Sequence, residues 1–365
     1  MLARVPRLAP LLAFALACAP LAGCSAFAQS AGPRALSIMP GVVNREDNRS
    51  LRFALLEYGL REVCTEMLGR SVPLSEAADR PPVGRFFPRT CESHLVADEN
   101  QKSFTVRFGG DGYAWTNLTL RVGFEAAAVV EYAPDFLLDG GAMYVYFRTR
   151  QVGATSFRRK LVESTFASVA ANAATALLGM QDPDRTGQRI LGSELARGFT
   201  VIRQPDGSVD FAVGIVEKGA KAQRPYEIHG EGRVVLANER VEVHANQREF
   251  LGPFRVDDSG RALFLTASLD GTEAVDVLVV PKEAGDPWLA SYIAQAQPFA
   301  PAFVPALSEV LAQGQPWRRT IPLPKGSYYV VIDHTATAGR VAPTGGALGD
   351  KAAAVAYAVE LGDAP

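Results

Sequence analysis

Few residue patterns in this chain could carry chemistry, and each has a simpler reading. Histidine occurs at His94, His229, His244 and His334, with no two at metal-ligand spacing and no H-E-x-x-H, so no metal site is expected. Asp333-His334 ends an expected strand and could orient an imidazole as a base, but it reads better as a strand-end pair facing water. No G-x-S-x-G elbow occurs, and Ser193 lacks the flanking pattern of a nucleophile. Gly109-Gly110-Asp111-Gly112 has the glycine count of a phosphate cradle without the lysine and helix that must follow, and reads as a turn. Asp257-Asp258-Ser259-Gly260 and Asp270-Gly271-Thr272-Glu273 lack the spaced ligands of a calcium loop and read as hairpin turns. No catalytic residue and no cofactor is assigned.

Cysteine chemistry is better defined. Arg4 and Arg7 precede an uncharged apolar stretch, Leu8 to Ala22, which suits a signal-peptide core and is short for a membrane span. Behind it, Leu21-Ala22-Gly23-Cys24 resembles the lipobox of bacterial lipoproteins. The resemblance implies that Cys24 is thioether-linked to diacylglycerol and becomes the mature N-terminus. Ser25, in place of the aspartate linked to inner-membrane retention, then implies an outer membrane. Ala26-Phe27-Ala28 before Gln29 is a competing site for ordinary signal peptidase, whose use would discard Cys24 and release a soluble protein. Cys18 lies in the leader, leaving Cys64 and Cys91 for one disulfide in an oxidising compartment.

The charge balance excludes one class of partner. The chain has 37 basic and 39 acidic residues, with no basic run, so the cationic footprint of a nucleic-acid binder is missing. Hydrophobic residues at 48% and charged residues at 21% describe a globular body.

The elements that would position these residues divide the chain. Residues 1–23 form the signal peptide and 24–46 a lipidated tether. An α+β domain is expected over 47–217, a linker over 218–233, and a β-sandwich over 234–365. Phe53, Leu56, Leu60, Val63 and Met67 share a helical face, capped by Asn48 or Ser50, and a Pro- and Arg-rich loop over 80–89 leads to Cys91. Phe104, Val106 and Phe108 alternate as a strand. Further strands are expected over 118–124, 128–132 and 142–148, with Asp139-Gly140-Gly141 as a hairpin turn. A second helix is expected over 160–178, then paired strands over 198–202 and 209–216. In element order this half resembles tubular lipid-binding proteins. Tyr113, Trp115, Tyr132, Tyr144 and Tyr146, with Phe147, would line an apolar ligand groove if they share a sheet face; otherwise they are ordinary core.

The second half carries expected strands over 240–244, 262–268, 274–280, 317–322, 327–333 and 354–361. Asp270-Gly271 is read as a two-residue hairpin, and two short helices are expected in the insert 283–315. Pro324-Lys325-Gly326-Ser327-Tyr328-Tyr329-Val330-Val331-Ile332, with Tyr357-Ala358-Val359-Glu360-Leu361, resembles the closing strands of bacterial prepeptidase C-terminal-type sandwiches. That resemblance implies an accessory module for display or binding.

The expectation is therefore a non-enzymatic envelope lipoprotein held on a membrane by its lipid, binding a partner protein or an apolar ligand. The alternatives are an envelope hydrolase assembled from distant residues and a structural or assembly factor of the envelope.

Overall fold

The computed structural model describes residues 44–45, 47, 56–57, 60, 63–74, 81–97, 102–116, 120–139, 142–163, 191–192, 195–203, 209–217, 224–227, 232–297, 299–343 and 352–365. The leader, Cys24, the caps Asn48 and Ser50, and residues 164–178 of the second expected helix lie outside them.

Among the described residues, seven strands form an antiparallel meander: β1 (Val72–Leu74), β2 (Gly84–Ala97), β3 (Lys102–Thr116), β4 (Leu120–Asp139), β5 (Ala142–Val162), β6 (Phe199–Arg203) and β7 (Val209–Val213). The α+β description does not hold for this half. Its described residues are dominated by one sheet, and helix α1 (Val63–Leu68) is short. Strand β5 runs on through Lys160–Val162, where the second helix was expected to begin.

Strands β4 and β5 have 20 and 21 residues, against about 5–6 in an ordinary strand. The shorter segments expected from the sequence are stretches of these strands. Register shifts at Gly123/Phe124, Ala128/Val130 and Glu131/Tyr132 interrupt the β4–β5 ladder, and such bulges bend a long strand without ending it. Pro88 sits beside another shift, at Pro88/Thr90, where its missing N–H costs the ladder least.

Gly109–Gly112 lies within β3, paired to both neighbours, and is not a turn. The glycines are there for space. A Cβ on Gly110 would stand 2.1 Å from the Phe87 carbonyl oxygen, and one on Gly112 would stand 2.6 Å from the Phe124 ring. The Pro- and Arg-rich loop is likewise replaced from Gly84 onward by β2.

One face of the meander carries the first core: Phe104, Val106 and Phe108 of β3 with Phe124, Val130 and Tyr132 of β4. Leu56, Leu60, Val63 and Met67 of the expected helical face pack against it, and Phe53 of that face lies outside the described residues. A disulfide joins Cys64 of α1 to Cys91 of β2, with the Cα atoms 5.3 Å apart, and so holds the helix on the sheet.

The remaining strands build a sandwich: β8 (Val234–Val243), β9 (Gln247–Val256), β10 (Arg261–Asp270), β11 (Ala274–Pro281), β12 (Leu307–Ala312), β13 (Trp317–Pro322), β14 (Gly326–His334) and β15 (Ala353–Asp363). One sheet has the order β13-β10-β15-β8 and the other β12-β11-β14-β9. Consecutive strands mostly alternate between sheets, which is the jelly-roll arrangement of two interlocked Greek keys. Val241, Leu263, Leu265 and Val355 of the first sheet meet Leu251, Val277, Val279 and Val330 of the second in one core.

This topology corrects three expectations. Asp270-Gly271 closes no hairpin, because β10 and β11 belong to different sheets; Gly271, at φ +87, turns a corner between them. Asp257–Gly260 similarly links β9 to β10 across the sandwich. Among the described residues the insert holds one helix, α2 (Lys282–Ala294), followed by irregular backbone and β12, where two helices were expected.

Candidate functional site

A second face of the meander, opposite its core, meets the jelly roll. The apolar part of the junction joins Phe87 of β2 and Tyr113 of β3 to Phe250 of β9, Tyr329 and Val331 of β14, and Trp288, Leu289 and Tyr292 of α2. Strands β9 and β14 are therefore buried on both faces. Phe250 and Val331 turn toward the meander, while Leu251, Val330 and Ile332 fill the sandwich. A strand covered twice has no polar face, which explains the unbroken run of Tyr328 to Ile332.

Threaded through this junction is a buried polar seam. Arg85 of β2, 3% exposed, donates from Nε to Glu249 of β9. Its Nη1 donates to Ser71 Oγ at 3.2 Å, and its Nη2 to Glu239 at 3.2 Å and to the Tyr357 hydroxyl at 3.1 Å. The other Glu249 oxygen accepts from the Tyr113 hydroxyl at 3.0 Å, which in turn accepts the Phe250 backbone N–H at 2.8 Å. Both carboxylate oxygens of a buried glutamate are thus answered by residues of the other body.

Beside it, Arg121 of β4 is fully buried, its guanidinium 4.0 Å from the centre of the Tyr292 ring. Its Nη2 donates to the carbonyls of Gln295 at 2.8 Å and Ala296 at 2.9 Å, closing the C-terminus of α2. Tyr292 donates to Gln247 Oε1 at 2.7 Å, and Gln247 Nε2 donates to Glu163 at 3.0 Å. Arg248 is paired with Asp333, bonded to Thr335 and Thr337, and placed 4.5 Å over Trp288.

The electrostatics follow from burial. Desolvation raises Glu249 above its ordinary value, opposed by Arg85 and Tyr113. It raises Asp333 in the same way against Arg248. Burial also pushes the Tyr292 hydroxyl up to about 12, so it stays a donor at any physiological pH. For Arg85, burial works downward but Tyr357, Glu249 and Glu239 outweigh it, and the guanidinium stays charged.

A cavity of about 10 Å³ lies in the seam, lined by Tyr113, Trp115, Arg121, Gln247 and Arg248 among others. It has room for about one water. Among the described residues, no group of three or more His, Cys, Asp or Glu side chains is arranged to hold a metal.

The five aromatics of the sequence reading are not gathered into one groove. Tyr113 and Trp115 join the seam, Trp115 stacked on His244 with centroids 3.4 Å apart. Tyr132 is on the other face, in the meander core, edge-on to Phe147 and Phe199. Tyr144 and Tyr146 alternate with Val145 and Phe147 on β5, so they point away from that core and stack on each other at 6.4 Å. Asp333-His334 is likewise not a water-facing pair: the residues are 0% and 3% exposed, and His334 Nδ1 stands 3.4 Å from the Val243 carbonyl.

Sequence reasoning missed Arg85, Arg121, Arg248 and Glu249. Their one signal was a charge inside an apolar strand run, as in Gly84-Arg85-Phe86-Phe87 and Arg248-Glu249-Phe250-Leu251.

No protein-family model matches this sequence, and no curated protein matches it. Among solved structures, Bombyx mori GH32 beta-fructofuranosidase BmSUC1 aligns at 8% identity with a TM-score of 0.13, covering 76% of this chain and 66% of its own. A mutant of that enzyme in complex with sucrose aligns at 9% identity with a TM-score of 0.14, covering 78% and 67%. Likeness at this level carries no argument about fold or activity.

Proposed function

We propose that this protein is an exported envelope lipoprotein, anchored through acylated Cys24 to the outer membrane, that holds a partner protein and has no enzymatic role. The observation that carries this reading is the seam. Arg85 and Tyr113 of the meander are bonded to Glu249 of the jelly roll at the heart of the fold, beside the Arg248–Asp333 pair within the jelly roll, and so hold the two together as one stiff body. A stiff body suits display and docking. The jelly roll supports the accessory, binding type of module that the Pro324–Ile332 resemblance implies.

The partner-protein version is favoured over an apolar ligand because Tyr132 is separated by the sheet from the other four aromatics. Anchoring by diacylglycerol is energetically ample, at ~0.8 kcal/mol for each buried methylene.

Metabolic fatty-acid labelling of cells producing the full chain tests the proposal. Label in the native protein that is lost in Cys24→Ser, with the variant leaving the membrane fraction, is the result expected. Identical labelling and fractionation of the two proteins would overturn it.

A further inference from the structure

The seam carries more donors than its own side chains answer. Arg121 and Arg248 are 0% and 2% exposed. Arg121 gives its Nη2 to the carbonyls of Gln295 and Ala296, and Arg248 gives Nε and Nη2 to Asp333, Thr335 and Thr337. What remains is Nε and Nη1 of Arg121 and Nη1 of Arg248, buried atoms with no hydrogen-bond partner among the described residues. Glu163 stands 3.5 Å from Arg121 Nε, close enough to offset its charge but outside hydrogen-bond geometry. A buried donor that gains no bond in place of the one it made to solvent is costly, most of all on a charged group.

Both arginines line the cavity of about 10 Å³ between the two bodies. Its wall takes Trp115 and Arg121 from the meander, Gln247, Arg248 and Glu249 from the jelly roll, and Tyr292 from α2. Acceptors are present as well. Glu249 takes one bond from Arg85 and, on its other oxygen, one from Tyr113, which leaves each carboxylate oxygen a further lone pair. A wall that holds unmet donors and spare acceptor capacity suits an occupant that both accepts and donates.

Size and charge narrow the choice to one. The space is that of a single water, and a halide ion is larger. The neighbouring charges also balance without an added ion: Arg85, Arg121 and Arg248 stand against Glu249, Asp333 and Glu163. A neutral molecule leaves that balance intact, whereas an anion would be buried without a counter-charge of its own.

We propose that this cavity is a hydration site holding one water, which accepts from the unmet N–H groups of Arg121 and Arg248 and donates to Glu249. Arg121 belongs to the meander and the other two residues to the jelly roll, so the water is a further bridge between the bodies. Immobilising one water costs less than leaving such donors unmet.

A crystal structure of the mature protein, fine enough to show ordered water and grown with bromide present, tests this. The expected result is one peak within about 3.2 Å of an unmet nitrogen on each of the two arginines, with no anomalous signal from bromide. No peak, a bromide peak, or a water in contact with only one of the two bodies would each overturn the proposal. In solution, oxygen-17 magnetic relaxation dispersion should count one long-lived water fewer in Arg121→Met than in the wild type, because the variant removes the donors and leaves an apolar wall. An equal count in a folded variant would also overturn it. Whether or not that variant folds, the wild-type crystal structure decides.

Discussion

Arg85 and Glu249 are 164 residues apart in the chain and share a buried hydrogen bond, one on the second strand of the meander and the other on the second strand of the jelly roll. Neither could stay in that interior alone, since a buried charge without a partner costs far more than the pair returns.

Removing one member should therefore be worse than removing both. Arg85→Met leaves Glu249 without its main counter-charge and is expected to lower unfolding stability by about 3–5 kcal/mol. The double variant Arg85→Met with Glu249→Leu should recover a large part of that loss. Urea unfolding of the three proteins checks it, and additive losses would show that the pair is not coupled.

The same burial gives a pH dependence. Glu249 and Asp333 have folded-state values raised above their ordinary 4.5 and 3.8, so between the ordinary and raised values the folded state binds more protons than the unfolded chain. Their contribution is fully present below the ordinary values and is lost as pH rises through the raised ones. Stability measured upward from pH 4 should fall on account of these two groups, and Glu249→Gln should flatten that fall. A variant whose profile keeps the wild-type slope would contradict the assignment.

The Cys64–Cys91 disulfide joins α1 to β2 across a sequence separation of 27. Replacing both cysteines by serine is expected to cost roughly 3–4 kcal/mol. Thermal unfolding of this variant, beside the wild type with and without reductant, measures the loss, and reduced wild type should match the variant.

Gly110 is expected to tolerate no side chain. Its Cβ would meet the carbonyl oxygen of Phe87 on the paired strand, a backbone atom that cannot swing away. Gly110→Ala should destabilise by about 1–3 kcal/mol. Gly314→Ala, at a turn with open space and φ +72, separates clash from backbone strain and should lose less. Equal losses would mean that contact is not the cause.

What was legible in the sequence was whatever one face of one element decides. Phe104, Val106 and Phe108 alternate because one side of β3 meets core, and Leu56, Leu60, Val63 and Met67 are spaced for a helix that lies on it. What was hidden depends on two faces at once. Strand β9 escaped notice because Arg248 and Glu249 interrupt its apolar pattern, and their partners, Asp333 and Arg85, are far off in the chain. Gly109–Gly112 looked like a turn because the sequence shows glycines without showing the rings of Phe86 and Phe124 above them. Asp270-Gly271 has the composition of a hairpin, but only sheet membership tells a hairpin from a corner.

Everything about delivery depends on where the mature chain begins, and intact-mass spectrometry of protein extracted from the membrane reads this directly. A mature form starting at Cys24 and heavier than its peptide by a diacylglyceryl group is the result the account predicts. An unmodified form beginning at Gln29 would contradict it.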